Sequence, residues 1–368
     1  MCIRDRVVKK LKKNKSCGRD LIPPEIAMNW GDKLKNLSLS VINSIKSAQR
    51  TPNEWANVLI STLYKNKGLR KLLLNQRGIF LKQVLSKIFE KMNMNRIADN
   101  VKKIDRTQAG SRTNRSPADQ TFLLRAAIDH SKYLNRSLYI VLYDYSQCFD
   151  SLWLEDCILS LWKLGVRSEI LNTILELNKK CNIIVKTPMG LTEEFTIQNI
   201  VQQGSVSGST LCSASTGELS SELTSGGTQI GLSSIRSLIY VDDVATANNY
   251  TQDVYTSHSQ VMWFSDRKRL ELNGPKTLLL PVNLKPTDVV PQLKIGDTIV
   301  EVKDVGPYLG DQFNKSGTNV DLIEDRVKKG KCCIVNSMSL CSDVTMGIHA
   351  IETLFLLYHS LFLSLIHI

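Results

Sequence analysis

The chain has 368 residues, is 42% hydrophobic and carries a formal net charge of +12, which excludes a disordered polyelectrolyte and allows two or three folding units around a sizeable core. Residues 1–110 hold 24 Lys and Arg against 8 Asp and Glu, a surplus of 16, whereas the remainder holds 23 against 27. The basic surplus therefore lies in the N-terminal third and points to a polyanionic partner, nucleic acid ahead of an anionic membrane. Nine cysteines and five histidines show no metal-ligand spacing and suit free thiols in a reducing, intracellular compartment. The most apolar stretch, Leu354 to Ile368, is too short to span a bilayer and reads as a buried helix. The first six residues, MCIRDR, and the last six, LSLIHI, resemble translated adaptor sequence and are set aside.

In chain order, the basic run Lys9 to Lys15 leads into a Gly- and Pro-containing turn, from which Pro24 or Glu25 opens a helix through Met28 and Trp30. The run KKLKKNK would serve nuclear import or template binding equally, so nuclear and cytoplasmic placement are not distinguished. Leu34, Leu37, Val41, Ile42 and Ile45 recur at helical spacing and predict a helix over roughly 32–48. Val58 to Tyr64 reads as a strand followed by a cationic turn, Lys65-Asn66-Lys67-Gly68. With Arg70, Lys71 and Arg77 close behind, that turn is a candidate triphosphate clamp. Residues 80–100 have a helical period, 107–117 form a polar loop, and 118–134 return to helix.

Leu138 to Tyr143 is an apolar strand that ends at Asp144; a corner carrying Phe149 follows, then a helix from about Leu154 to Leu164. Asn182 to Thr187 and Glu194 to Val201 read as strands around Pro188-Met189-Gly190. They lead into Gln203-Gly204-Ser205, where glycine permits close backbone approach to a planar or phosphorylated ligand. Thr224 to Thr228 reads as a flexible linker. Leu238 to Val241 and Val244 to Ala247 read as two strands with Asp242 and Asp243 at the tip between them. Ser257 to Leu270 is helical, Leu278 to Val282 is a strand, Ile299 to Gly310 forms a late hairpin, and helix resumes at Val320.

Three carboxylates stand out: Asp144 at one strand end, and Asp242 with Asp243 at a hairpin tip. If the strands are neighbours the carboxylates converge, and a shared acidic site is best stabilised by divalent cations that prefer oxygen, Mg²⁺ above all, with Mn²⁺ as a substitute. Two such ions can activate a 3′-hydroxyl and stabilise a leaving pyrophosphate, which is nucleotidyl transfer.

Several segments also carry a resemblance. Asp144 with Phe149, Gln203-Gly204-Ser205, Tyr240-Val241-Asp242-Asp243, Leu272-Asn273-Gly274-Pro275-Lys276-Thr277 and Tyr308-Leu309-Gly310 match, in order, the palm motifs of reverse transcriptases. Lys15 to Glu25 resembles the segment that opens the polymerase region of non-LTR (LINE-type) retrotransposons. Leu63 to Gly68 and Asn75 to Ile79 look like that group's finger motifs. The resemblance covers roughly residues 9–362 and implies an α+β right-hand polymerase: fingers over 1–135, a ferredoxin-like palm with helices on one face over 136–310, and a partial helical thumb over 311–368.

By the same resemblance, Asp144, Asp242 and Asp243 bind metal and catalyse, with the Tyr145 carbonyl as a further ligand. Phe149 is the steric gate against a ribose 2′-hydroxyl, Gln203 and Gly204 border the incoming nucleotide, Lys65 and Arg77 hold its triphosphate, and Lys276 lies near the phosphates. Tyr308, Leu309 and Gly310 form the primer grip. The implied partners are an RNA template, a DNA primer and dNTP, with no membrane. Arg269, Gly208 and Val241 depart from the commoner Gly, Pro and Ala at those motif positions. The rival readings are an RNA-dependent RNA polymerase with the same palm and a truncated nucleic-acid-binding remnant without activity.

Overall fold

A computed structural model describes residues 3–66, 68–187, 190–231 and 233–341. The helix expected over Leu354 to Ile368 lies outside the described residues, as do Lys67 of the cationic turn and Pro188-Met189.

At the N terminus, Ile3–Lys9 is helical and buries Arg4 and Val7, so residues 3–6, set aside from the sequence, pack on the body of the protein. Arg4 donates to the Lys35 carbonyl and to Ser38 Oγ, both on α1 (Asp32–Ala48). The helix expected through Trp30 covers only Pro24–Met28. Next come β1 (Asn57–Tyr64) and β2 (Gln76–Leu81), an antiparallel pair with Leu59 opposite Leu81 and Tyr64 opposite Gln76. Phe80 and Leu81 were expected in a helix; the ladder to β1 takes up their backbone instead, and the helix starts later, at α2 (Val84–Arg96).

α3 (Pro117–Tyr133) begins with Pro117 in its first turn and with the Asp119 carboxylate accepting the Ser116 N–H, the reciprocal cap of a helix start. β3 (Leu138–Tyr143) is buried at all six positions. α4 (Leu154–Lys163) and α5 (Ser168–Asn178) lead to β4 (Lys180–Thr187), which runs parallel to β1 with Val58 opposite Ile183. β5 (Phe195–Gln198) pairs with β4 from its other side, and α6 (Gly208–Thr216) follows. Thr224 to Thr228 is not a flexible linker. Gly226 and Gly227 take positive φ, the Gly227 N–H donates to Asn248 Oδ1 at 2.9 Å, and buried Thr228 starts a short hairpin. The sequence LTSGGT has linker composition, but a distant side chain fixes it.

The central sheet is completed by β6 (Ser237–Tyr240), β7 (Asp243–Asn248) and, after α7 (Thr251–Arg267), β8 (Leu278–Val282). Its order is β6-β7-β3-β8, each neighbour antiparallel, with Glu301–Val302 added parallel to β8. Helical crossovers thus separate β3 from β6 and β7 from β8, the β-α-β-β-α-β order of ferredoxin-like sheets. Pro281 sits in β8 beyond the two residues that pair with Glu301–Val302, where no ladder bond is needed from its nitrogen on that side.

Alternation along β3 sends its side chains to two separate cores. Tyr139, Val141 and Tyr143 pack with residues of α4, α5, α6 and α7, including Leu154, Ile174, Leu211 and Phe264. Leu138, Ile140 and Leu142 pack with Leu124, Ala127 and Ile128 of α3 and with Tyr308 and Phe313. Helices therefore cover both faces, where the sequence led us to expect one. Tyr308 and Phe313 belong to β9 (Val305–Tyr308) and β10 (Asp311–Asn314), the late hairpin, which starts later than expected because Thr298–Ile299 and Glu301–Val302 pair elsewhere. α8 (Val320–Cys341) follows. Among the described residues, no helix is long and apolar enough to cross a membrane.

Candidate active site

The antiparallel register that places Val244 opposite Tyr143 brings Asp243, at the start of β7, beside Asp144, just past the end of β3. The pairing of Tyr240 with Asp243 leaves Val241-Asp242 as a two-residue turn, so Asp242 stands at the tip and Asp243 within the strand. The three residues thus lie at one end of a largely buried sheet, with the Asp144 charge near enough to act on both Asp242 and Asp243.

Asp144 is gripped by the segment that precedes β8. Its carbonyl accepts the Asn273 N–H at 2.8 Å, its N–H faces Thr277 Oγ1 at 3.4 Å, and Lys276 Nζ lies 3.0 Å from its carboxylate. Partial burial raises the pKa of Asp242 above the ordinary carboxylate value, reinforced by the Asp144 charge and opposed by its own backbone N–H and by Arg77. Asp243 keeps an outer face open to solvent, yet desolvation in the cleft, then the charges of Asp242 and Asp144, push its carboxyl up to about 6. The cluster holds more negative charge than it can comfortably carry.

Among the described residues, no group of three or more His, Cys, Asp or Glu side chains is gathered so as to hold a metal ion. The donor chemistry still suits a hard cation: the side chains are oxygen donors, the Asp144 charge disfavours the ionised forms of Asp242 and Asp243, and Lys276 already supplies an ammonium to Asp144.

Other sequence-predicted residues fall at varied distances from this centre. Arg77, exposed on β2 opposite Leu63, is near enough for its charge to act on Asp242. Lys65 follows β1, donates its N–H to the Asn75 carbonyl at 2.9 Å, and acts on Asp150, whose carboxyl desolvation raises and the Lys65 charge lowers. Tyr145 is buried; its hydroxyl meets Ser265 Oγ at 3.0 Å, and its backbone pairs with Leu272. Phe149 lies on a short helix, Cys148–Ser151, half-buried against the core under the site. The Gln203 carbonyl accepts the Phe80 N–H of β2 at 3.0 Å, and Gly204 has φ +94°, where an added Cβ would lie 3.3 Å from the Ile79 side chain. Leu309 and Gly310 form the positive-φ tip of the β9–β10 hairpin. The Tyr308 side chain is buried, and its hydroxyl donates to the Leu238 carbonyl of β6 at 2.9 Å.

Sequence reading missed the supports behind these residues. The Gln203-Gly204 loop is anchored by a buried ion pair, Lys82 with Glu90 at 3.2 Å, whose carboxylate also accepts the Ser207 N–H at 2.9 Å. Ser207 opens α6, so an anion sits where the helix leaves its N–H groups unpaired. A charged residue at helical spacing, such as Glu90, gives no sequence signal that it points inward.

The sheet end thus presents Asp144, Asp242 and Asp243 with Lys276 on Asp144 and the Arg77 charge acting on Asp242. The sequence model described as reverse transcriptase (RNA-dependent DNA polymerase) matches residues 65–298, and the chain belongs to that family. No curated protein matches the chain. Membership places the chain among nucleotidyltransferases of the polymerase type with a palm-type fold and implies binding of nucleic-acid template and primer and of dNTP; domains of this family generally use divalent metals.

Proposed function

We propose that this chain is the polymerase region of a non-LTR retrotransposon reverse transcriptase, which extends a primer 3′-hydroxyl with dNTPs along an RNA template. The observation that carries the reading is the meeting of Asp144, Asp242 and Asp243, each from a different strand end or turn, with Lys276 on Asp144. Residues 1–135 are the fingers, 136–310 the palm and 311–368 the start of a thumb. The order of motifs from Lys15 to Gly310 supports the non-LTR assignment over a generic palm.

In this reading Asp144, Asp242 and Asp243, with the Tyr145 carbonyl, hold the divalent cations, Mg²⁺ or Mn²⁺. When bound, such ions supply activation of the primer hydroxyl and stabilisation of the departing pyrophosphate. The chain's own residues do the rest. Lys65 and Arg77 hold the triphosphate, and Lys276 leaves Asp144 to neutralise charge on the phosphates. Phe149 closes the floor under the sugar and excludes a 2′-hydroxyl, while Gln203 and Gly204 border the base pair. Leu309 and Gly310 offer backbone to the primer, with Tyr308 bracing β6 from beneath.

Template-directed primer extension with Mg²⁺, run beside Asp242→Asn, tests the proposal: the variant is expected to lose at least about a hundredfold in rate. Equal behaviour of the two proteins would leave a nucleic-acid-binding remnant. Preference for rNTP over dNTP by the wild type would instead make it an RNA polymerase.

A further inference from the structure

The segment Thr107 to Pro117, polar and without apparent chemistry in the sequence, holds a fully buried residue, Gln108. Its Oε1 accepts the Gly110 N–H at 2.7 Å and the Val241 N–H at 2.9 Å. Its Nε2 donates to Thr216 Oγ1 at 2.9 Å and to the Val241 carbonyl at 3.2 Å. All four hydrogen-bonding positions of the amide are used, and two of them seize the N–H and C=O of one residue. Thr216 Oγ1 also reaches the Val241 carbonyl, at 2.6 Å.

Val241 is the residue before Asp242, and it has φ +60°. A β-branched side chain in the left-handed region is an outlier that persists only when its surroundings hold it there. The loop on either side of Gln108 is fixed to the same hairpin: the Ala109 N–H donates to the Ile239 carbonyl and the Ile239 N–H to the Thr107 carbonyl, each at 2.9 Å. Gly110 is obligatory beside them, because a Cβ there would lie 2.6 Å from the Val241 nitrogen.

We propose that Gln108 is a positioning residue of the nucleotidyl-transfer site: its amide holds Val241 left-handed and thereby aims the Asp242 carboxylate. This rests on the reverse transcriptase reading above. Without the clamp Val241 returns to negative φ, the tip rotates, and Asp242 leaves its neighbours. Displacements of about 1 Å at a reacting centre can cost about a hundredfold.

The experiment compares the full chain with Gln108→Leu, Val241→Gly and the double variant. It measures kcat and the dNTP KM in primer extension, thermal melting, and hydrogen–deuterium exchange over residues 238–246. Gln108→Leu is expected to lower kcat about tenfold or more, with the dNTP KM and RNA binding changing less than about twofold. Val241→Gly in that background should restore most of the loss, because glycine adopts positive φ without a clamp. A folded Gln108→Leu that keeps its kcat, or a loss that Val241→Gly does not relieve, overturns the proposal. If Gln108→Leu does not fold, Gln108→Glu and Gly110→Ala take its place, each expected to show the same kcat-specific loss. If the wild type behaves as Asp242→Asn does, the polymerase reading fails, and exchange alone then decides: faster exchange at Val241-Asp242 in the Gln108 variant supports the clamp, and unchanged exchange sinks it.

Discussion

At the scale of single residues, the site shows a conflict between charge and stability. The Asp243 carboxyl lies near 3.8 in an unfolded chain and is pushed up to about 6 in the folded one. The folded state therefore holds this proton more tightly. Its disadvantage is absent below about pH 4 and grows as pH rises through 6. Asp243→Asn is expected to raise the melting temperature of the metal-free protein at pH 8 and to have little effect at pH 4; a pH-independent difference would contradict this origin. Activity should show an acidic limb near pH 6, since the protonated carboxyl is a poor cation ligand. Arg269 gives a second case. It takes φ 56°, where many reverse transcriptases have glycine, and its guanidinium lies 3.4 Å over the Trp153 ring. The left-handed conformation costs about 1 kcal/mol, and an exposed stack returns about 0.5–1 kcal/mol. Arg269→Gly should thus be nearly neutral in melting temperature, and Arg269→Ala, which keeps the strain and loses the stack, the least stable of the three.

At the scale of elements, the Lys82–Glu90 pair binds the end of β2, α2 and the first turn of α6 into one unit. Glu90→Ala leaves the buried Lys82 ammonium with only the Leu177 carbonyl, at 3.5 Å, and no counter-charge, and is expected to cost about 3–5 kcal/mol in urea unfolding. Replacing both residues by apolar ones, Lys82→Met with Glu90→Leu, should recover much of that; a double variant no better than Glu90→Ala would argue against burial of the pair. The same elements show what a sequence discloses. β3 was legible because six apolar residues in a row need no partner to declare a buried strand, and Asp144, Asp242 and Asp243 were legible because carboxylates interrupt such runs. β2 was hidden: Gln76-Arg77-Gly78 carries no strand signal, and only its ladder to β1 makes it one. The motif that marks Tyr308-Leu309-Gly310 as a grip hairpin carries no signal that the Tyr308 side chain is buried against β6. Gln108 was out of reach, since the atoms it binds lie 108 and 133 residues further along.

At the scale of the whole molecule, the proposed function has the basic N-terminal third hold the template while the acidic remainder carries the reacting site. Template binding should weaken as salt rises, with log affinity falling by about 0.7 per phosphate contacted for each tenfold increase in salt. Asp242→Asn should leave that slope unchanged; a slope that moves with the variant would place the aspartates in the binding surface. The parallel pairing of β1 with β4 has its own consequence. Asn57 and Asn182, 125 residues apart, are joined side chain to side chain at 3.0 Å across that pair. A ribosome delivers β1 and β2 long before β4 exists, so the emerging protein carries an open strand edge through the synthesis of α2, α3, β3, α4 and α5. The order of closure therefore follows the order of birth: β4 closes on β1 before β6, β7 and β8 are made, and β3 waits unpaired for β7 and β8.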